Sequence, residues 1–174
     1  MFGSFCFPRF FVYLSDKKKR MRLRIALASD LPDLQKIYVG TIEEICIQDY
    51  NQQQIDVWKS TVENTLRWTA MMNDQLVIVA EKNNKIVGFG TLRDGNYIDF
   101  FYIHKNFQRQ GIAQNILSQL ETHARKSGNF NITSDISITA RPFFEKNGFT
   151  ILKEQKNLRK GIELINYKME KILQ

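Results

Sequence analysis

Gln108, Gly111 and Ala113 stand at the spacing Gln-x-x-Gly-x-Ala inside the run NFQRQGIAQN, Asn106 to Asn115. The run follows an apolar segment of strand length and opens a segment of helical periodicity. At such a junction the first helical N–H groups have no intrahelical partner and point out together. The helix dipole adds partial positive charge at the same place. The chemistry this suits is the binding of an anion, and a pyrophosphate fits it. Gly111 would let the backbone come close to the phosphates. Ala113 is small enough not to obstruct them, and Gln108 and Arg109 offer side-chain donors. Two other nucleotide readings are excluded. There is no Gly-x-x-x-x-Gly-Lys-Ser/Thr loop, and no Gly-x-Gly-x-x-Gly after a first strand with an acid further on.

A second chemical group precedes the loop. Asp99 lies in the middle of YIDFFYI, among Ile98, Phe100 and Phe101. A carboxylate in apolar company has a raised pKa and is suited to accept a proton. His104, where this segment ends, is a second base candidate. His123 falls on the exposed side of the following helix, and neither histidine has the serine and acid context of a triad. The two cysteines, Cys6 and Cys46, are too few for a disulfide framework, and nothing around them has metal-ligand spacing. No metal site is expected, and a reducing cytoplasm is the expected compartment.

The elements that must position these groups follow from periodicity. RLRIALA, Arg22 to Ala28, predicts a first strand. SDLPDLQKIY predicts a helix capped by Ser29 or Asp30, with Pro32 in its first turn, running to about Ile47. A shorter helix around QDYNQQQIDVWKS should carry Ile55 and Trp58 inwards, and a third piece is expected near Val62 to Met71. QLVIVAEK, KIVGFGTLR and NYIDFFYI read as an antiparallel meander joined by NN and DGN turns. GIAQNILSQLETHARKSG is amphipathic, with Ile112, Ile116, Leu117, Leu120 and Ala124 on one face and Gly128 as its stop. NFNITSD predicts a short strand, ITARPFFEKNG a short helix ending at Gly148, and FTILKEQ with IELINYKME a final pair of strands. The fold class is α+β, a layered domain without internal repeats.

Composition narrows the partners. The chain has 174 residues, 43% hydrophobic and 25% charged. That suits one domain with a core of its own and excludes a disordered chain. No apolar run approaches the roughly 20 residues that span a bilayer, so no membrane partner is expected. Of the formal charge of +7, residues 1–24 carry +6, which leaves +1 for everything after them. That is no nucleic-acid footprint. The head, MFGSFCFPRFFVYLSDKKKR, places aromatic residues before its basic cluster, the reverse of a secretory signal. Residues 1–20 are read as an extension outside the fold with Met21 as the start, and residues 21–174 as the domain.

With these pieces in place the chain resembles the GNAT superfamily of acetyl-CoA-dependent N-acetyltransferases, over about residues 22–172. YIHKNFQRQGIAQNIL is similar to its acyl-CoA signature and ARPFFEKNGF to its second signature. DYNQQQIDVW, SITARPFFEKNGF and NYKME together resemble a subgroup of small bacterial GNAT enzymes whose acceptors are mostly unassigned. The resemblance implies a sheet of about seven strands, mixed but mostly antiparallel, splayed between the fourth and fifth. It implies acetyl-CoA as co-substrate in that splay, held by Phe101, Tyr102, Ile103, Gln108, Arg109, Gln110, Gly111, Ile112, Ala113, Gln114, Phe143, Phe144 and Lys146. A backbone N–H near Ile103 would polarise the thioester carbonyl. The amine of a small-molecule acceptor would attack directly, without a covalent enzyme intermediate.

An aliphatic amine with a pKa near 10 is about one part in a thousand free at pH 7, so a general base helps. Asp99 is the candidate, with His104 as a second. Many family members have a tyrosine where this chain has Phe144, positioned to protonate the leaving thiolate. Water, Tyr102 or Ser137 would have to substitute. The same departure supports an alternative, an acyl-CoA sensor of the same fold without turnover. Between Ile37 and Val57 the chain has Glu43, Glu44, Asp49 and Asp56 and no Lys or Arg. In this family the first helices wall the acceptor pocket, so Glu44, Asp49, Tyr50 and Trp58 are expected there, with a charge that draws cationic amines. The assembly is expected to be a monomer or a homodimer.

Overall fold

The computed structural model describes residues 21–174. The head of the chain, and with it the reading of residues 1–20 as an extension, lies outside the described residues. In chain order the elements are β1 (Arg22–Ile25), α1 (Leu31–Glu44), α2 (Gln52–Lys59), α3 (Thr65–Asp74), β2 (Leu76–Lys82), β3 (Lys85–Arg93) and β4 (Tyr97–Ile103). Then follow α4 (Ile112–Lys126), β5 (Asn131–Ser137), α5 (Arg141–Lys146), β6 (Thr150–Arg159) and β7 (Ile162–Ile172). The strands form one seven-stranded sheet in the order β1-β2-β3-β4-β5-β7-β6. Only β4 and β5 pair in parallel. The expected α+β class, mixed sheet and element order are all present.

Local chemistry sets the boundaries. Asn51 caps α2 by accepting from the Gln54 N–H, while the Gln54 side chain accepts from the Asn51 N–H. Asp30 stands before α1 as expected, yet its carboxylate caps nothing there. It accepts from the Leu27 N–H at 2.7 Å and from the Arg24 guanidinium. α1 stops at Glu44 rather than near Ile47, because Cys46–Gln48 tightens into a 3₁₀ turn. β6 runs past Gln155 to Arg159, carried by the tight turn at Lys160 and Gly161, both with positive φ.

The sheet separates two apolar layers. Against one face, α4 and α5 bury Ile116, Leu117, Leu120 and Phe144 over Ile98, Ile103 and Ile132. Against the other, α1, α2 and α3 bury Leu34, Ile42, Ile55 and Trp68 over Val79, Phe89 and Phe100. Gly90 permits the first contact. A Cβ there would stand 2.7 Å from Ile116 Cγ2 and 3.0 Å from Leu120 Cδ1, so a side chain would push α4 off the sheet.

Two irregularities in β4 build the site. Leu92 faces Ile98 across the β3–β4 ladder, but Gly90 faces Phe101. One residue of β3, Thr91, therefore opposes two of β4, Asp99 and Phe100, which is a bulge. The bulge would leave the Phe100 N–H without a ladder partner, and the buried Thr91 hydroxyl accepts it at 3.0 Å. The second irregularity is the short pairing of β4 with β5, confined to Tyr97 with Thr133 and Ile98 with Ser134. Ser134 Oγ donates to the Ile98 carbonyl at 2.8 Å, and beyond that point the strands part.

Candidate active site

Where β4 and β5 part, a cleft of about 850 Å³ opens, bounded by the N-terminal end of α4 and by α5. Gly111 precedes α4 with φ +77°, and a Cβ added to it would meet nothing closer than Asn115 Nδ2 at 4.0 Å. Its glycine is thus demanded by the left-handed backbone, not by crowding. Arg109 also has positive φ, 57°. Ile112, Ala113 and Gln114 line the cleft at the start of α4, where backbone N–H groups have no intrahelical partner.

Of the residues expected at the cofactor, Phe101, Tyr102, Ile103, Gln108, Arg109, Gly111, Ile112, Ala113, Gln114, Phe143, Phe144 and Lys146 all line this cleft. Gln110 does not: its Oε1 accepts from Lys82 Nζ at 2.9 Å, outside the cleft. Gln108 lines the wall but spends Nε2 on the Ile103 carbonyl at 2.6 Å. It braces the loop against β4 rather than offering a free donor. Thr41, which sequence reading did not single out, donates to the same carbonyl at 2.9 Å and ties α1 to the end of β4.

Phe144 is 2% exposed and packs edge-on against Phe101, Phe143 and Phe149. It is a core residue that also forms cleft wall, so the missing hydroxyl there reflects packing. Tyr102 is half-buried between the two cavities, and desolvation holds its phenol well above the ordinary tyrosine range. Ser137 Oγ accepts from the Ala140 N–H at 3.1 Å, which leaves its O–H to donate into the cleft. His104 lines neither this cleft nor the one described next. Its Nδ1 accepts from the Asn106 N–H at 3.2 Å, an ordinary loop cap.

Asp99 differs from its expectation. The apolar neighbours in sequence do not surround its carboxylate. The bulge puts Ile98 and Phe101 on the α4 face and leaves Asp99 beside α3. There Oδ1 accepts from Arg67 Nη2 at 2.9 Å and Oδ2 from Gln75 Nε2 at 2.8 Å. The side chain is 8% exposed, while Arg67 also lies over the Phe100 ring at 4.8 Å. Asp99 is a paired, oriented carboxylate, not one stranded in a hydrophobic wall. Arg67 and Gln75 carry no sequence signal of this, because they lie 32 and 24 residues upstream.

A second cavity of about 350 Å³ lies on the α1–α3 side of β4, closed by the β6–β7 hairpin. It meets the larger cleft at Trp58, Asp99, Tyr102, Asp135 and Ser137, which line both. Trp58 is therefore at this junction, and Tyr50, which lines the smaller cavity alone, packs beside it with ring centroids 5.2 Å apart. Tyr50 is nevertheless a structural residue. Its hydroxyl donates to the Ile165 carbonyl and accepts from the Ile138 N–H, and burial pushes its pKa up to about 12. Asp49 lines the larger cleft. Glu44 lines neither cavity and is paired with Lys105. Glu43 and Asp56 are both paired with Lys59. Lys59 and Lys105, which the linear window of sequence does not contain, thus offset half of the expected negative charge, and Asp49 is left without an ion pair among the described residues. The smaller cavity instead presents Arg67, Arg93 and Arg159 beside Asp99 and Asp135.

A mixed sheet that splits between two parallel strands beside the N-terminus of a helix defines the class of acyl-CoA transferases built on the GNAT fold. Comparison with known proteins agrees. The family model described as Acetyltransferase (GNAT) domain matches residues 46–171. The chain is 31% identical over 149 residues to the uncharacterized N-acetyltransferase YafP of Escherichia coli (strain K12), covering 86% of this chain and 94% of that one. The crystal structure of a GCN5-related N-acetyltransferase from Rhodopseudomonas palustris superposes with a TM-score of 0.84 at 28% identity, covering 87% of this chain and 95% of the other. That of PaiA N-acetyltransferase from Thermoplasma acidophilum, in complex with coenzyme A, does so at 0.70 and 17% identity, covering 88% and 99%. This chain belongs to the GNAT acetyltransferase family and is an acyltransferase.

Proposed function

We propose that the protein moves the acetyl group of acetyl-CoA to the primary amine of a small acceptor by direct attack within a ternary complex. The observation that carries this reading is the meeting of two cavities at Asp99, Trp58, Tyr102, Asp135 and Ser137. One cavity suits a long cofactor and the other a small acceptor, and their junction is where acyl carbon and amine would meet.

The cofactor's pyrophosphate lies on the N–H groups that open α4, with Arg109 and Lys146 at the cleft wall. The Phe100 N–H is turned to Thr91 and the His104 N–H to Val87, both on β3. Strand alternation then turns the Phe101 and Ile103 N–H groups to the open edge. They are available to pair with the pantetheine amides and to polarise the thioester carbonyl, where negative charge develops.

A carboxylate has about four acceptor sites, and Arg67 and Gln75 occupy two of those on Asp99. The remainder receive an N–H of the incoming amine, and its proton leaves to Asp99 directly or through a water. The amine nitrogen attacks the acyl carbon, the C–S bond breaks, and the thiolate departs. The Ser137 O–H stabilises that thiolate by a hydrogen bond, and a thiol pKa near 8.5 makes it a tolerable leaving group.

Initial rates of coenzyme A release test the reading, with acetyl-CoA and an amine panel varied together. A ternary complex gives intersecting double-reciprocal lines. Parallel lines would point to a covalent acetyl-enzyme, and no release with any amine would refute the transfer.

A further inference from the structure

The charges in the smaller cavity are unequally used. Arg67 is paired with Asp99. Arg93 pairs with Asp94 at 3.5 Å and lies over the Tyr97 ring at 4.4 Å. Asp135 accepts from Gln155 at 2.7 Å. Arg159 and Asp135 make no ion pair with any described residue, and Arg159 alone among the cavity's charged side chains has neither an ion pair nor a hydrogen-bond partner among them. It sits at the last position of β6, next to the turn whose Lys160 Nζ reaches Ser60 Oγ at 3.1 Å. That contact joins the end of the hairpin to the start of the segment between α2 and α3, and Arg159 itself is exposed.

The cavity thus offers a carboxylate where it opens to the acyl cleft and a guanidinium in its β6 wall with nothing to bind. A free guanidinium is a fork for an oxyanion, carboxylate or phosphate, which it holds by two parallel hydrogen bonds. With Arg67 paired to Asp99 and Arg93 to Asp94, Arg159 is set against a single carboxylate without an ion pair, Asp135, so a second cationic group on the ligand gains no net attraction there. We infer that the acceptor is an amine bearing an oxyanionic group, with its amine at Asp99 and its oxyanion at Arg159. This rests on the smaller cavity being the acceptor pocket.

The test uses ω-amino acids of two to six carbons, each beside its primary amide, the matching aminoalkylphosphonate and the matching diamine. Thermal shift of the protein with acetyl-CoA and coenzyme A release are both read. The carboxylate or the phosphonate of at least one length should bind and react better than its amide, and the diamine should be worst. Which of the two oxyanions leads tells carboxylate from phosphate. Arg159→Gln should raise KM for that oxyanionic amine by about 10- to 100-fold, the span of one lost charge-assisted hydrogen bond. KM for acetyl-CoA, turnover of the amide and the melting temperature should not move, and Arg159→Lys should restore part of the affinity. Oxyanionic amines that stabilise the protein without being acetylated would refute the transfer and leave the oxyanion site standing. Amides or diamines that bind and react as well as the oxyanionic amines, or an Arg159→Gln variant with their preference intact, would overturn the oxyanion site and leave the transfer standing. A panel in which no oxyanionic amine either binds or reacts overturns it too.

Discussion

Asp99 is held by two neighbours rather than desolvated by apolar ones, and this changes what its substitution should do. Asp99→Asn keeps the shape and removes both the basicity and the charge that Arg67 pairs with. Turnover should fall by about 10²- to 10⁴-fold, the usual range for a lost general base. Acetyl-CoA affinity should hold, because the loop before α4, where we propose that the cofactor's phosphates bind, is separate from Asp99. Activity should recover partly at high pH, where the acceptor is already deprotonated. A folded Asn variant that keeps the parent rate at pH 7 would move the proton transfer elsewhere, with an ordered water as the next suspect. At the loop itself, Gly111→Glu adds a negative charge at the proposed pyrophosphate site and a side chain at φ +77°. Calorimetry should show acetyl-CoA binding weakened by at least tenfold, with the fold intact by circular dichroism. Unchanged binding would remove the pyrophosphate from this loop.

The elements that matter most are β4 and the helix start beside it. The bulge opposite Thr91 turns Asp99 towards α3 and Phe101 towards α4, so both cavities depend on it. Its weak point is the Phe100 N–H, buried and satisfied by one hydroxyl. Thr91→Val conserves volume and removes that acceptor, leaving a buried donor unpaired at a cost of about 1–3 kcal/mol. Denaturant unfolding should register the loss. KM for the acceptor should rise with it, because the strand relaxes towards regular pairing. A Val variant as stable as the parent would mean that water replaces the hydroxyl. Alternation alone would place Ile98 and Phe100 on one face, and the extra residue of the bulge is what separates them.

Across the whole molecule, the seating of α4 on β3 would join stability to cofactor binding at the proposed site. Gly90→Ala would bring a methyl to 2.7 Å from Ile116 Cγ2. Overpacking of this kind costs about 1–3 kcal/mol, and α4 would carry its anion-binding end away from β4. Melting temperature and acetyl-CoA affinity should therefore fall together, unlike the Asp99 variant, which separates them. A second whole-molecule link is electrostatic. Arg24 on β1 binds Asp30 before α1 and Glu81 on β2. The Arg24 hydrogen bond holds the Asp30 carboxyl below its ordinary 3.8, with a further lowering from the Leu27 N–H. A depressed folded pKa contributes stability that is complete above the unfolded value. It is lost as pH falls through and below it. Acid unfolding should therefore steepen below about pH 4, and Asp30→Asn should flatten that limb while lowering stability at pH 7. A variant with the same acid limb as the parent would mean that other carboxylates set it.

The sequence by itself determined the element order, the α+β class and the glycine loop that opens α4. Each of these is written in short-range pattern: alternation in QLVIVAEK, a 3.6-residue period after Gly111, and a glycine where φ must be positive. Local signals survive folding because the same few residues that carry them also form the structure. What the tertiary structure decided is everything that depends on residues far apart in the chain. Asp99 acquired Arg67 and Gln75 from the α3 region, and the acids before Val57 acquired Lys59 and Lys105 from outside their own window. The smaller cavity acquired Arg159 from a hairpin at the other end of the chain. No periodicity announces such meetings. The β4 bulge is equally silent, because YIDFFYI reads the same whether one residue or two oppose Thr91, and the packing of α3 and α4 against the two faces settles which. Charge in a pocket is a sum over neighbours in space, and the linear sequence orders neighbours only along the chain.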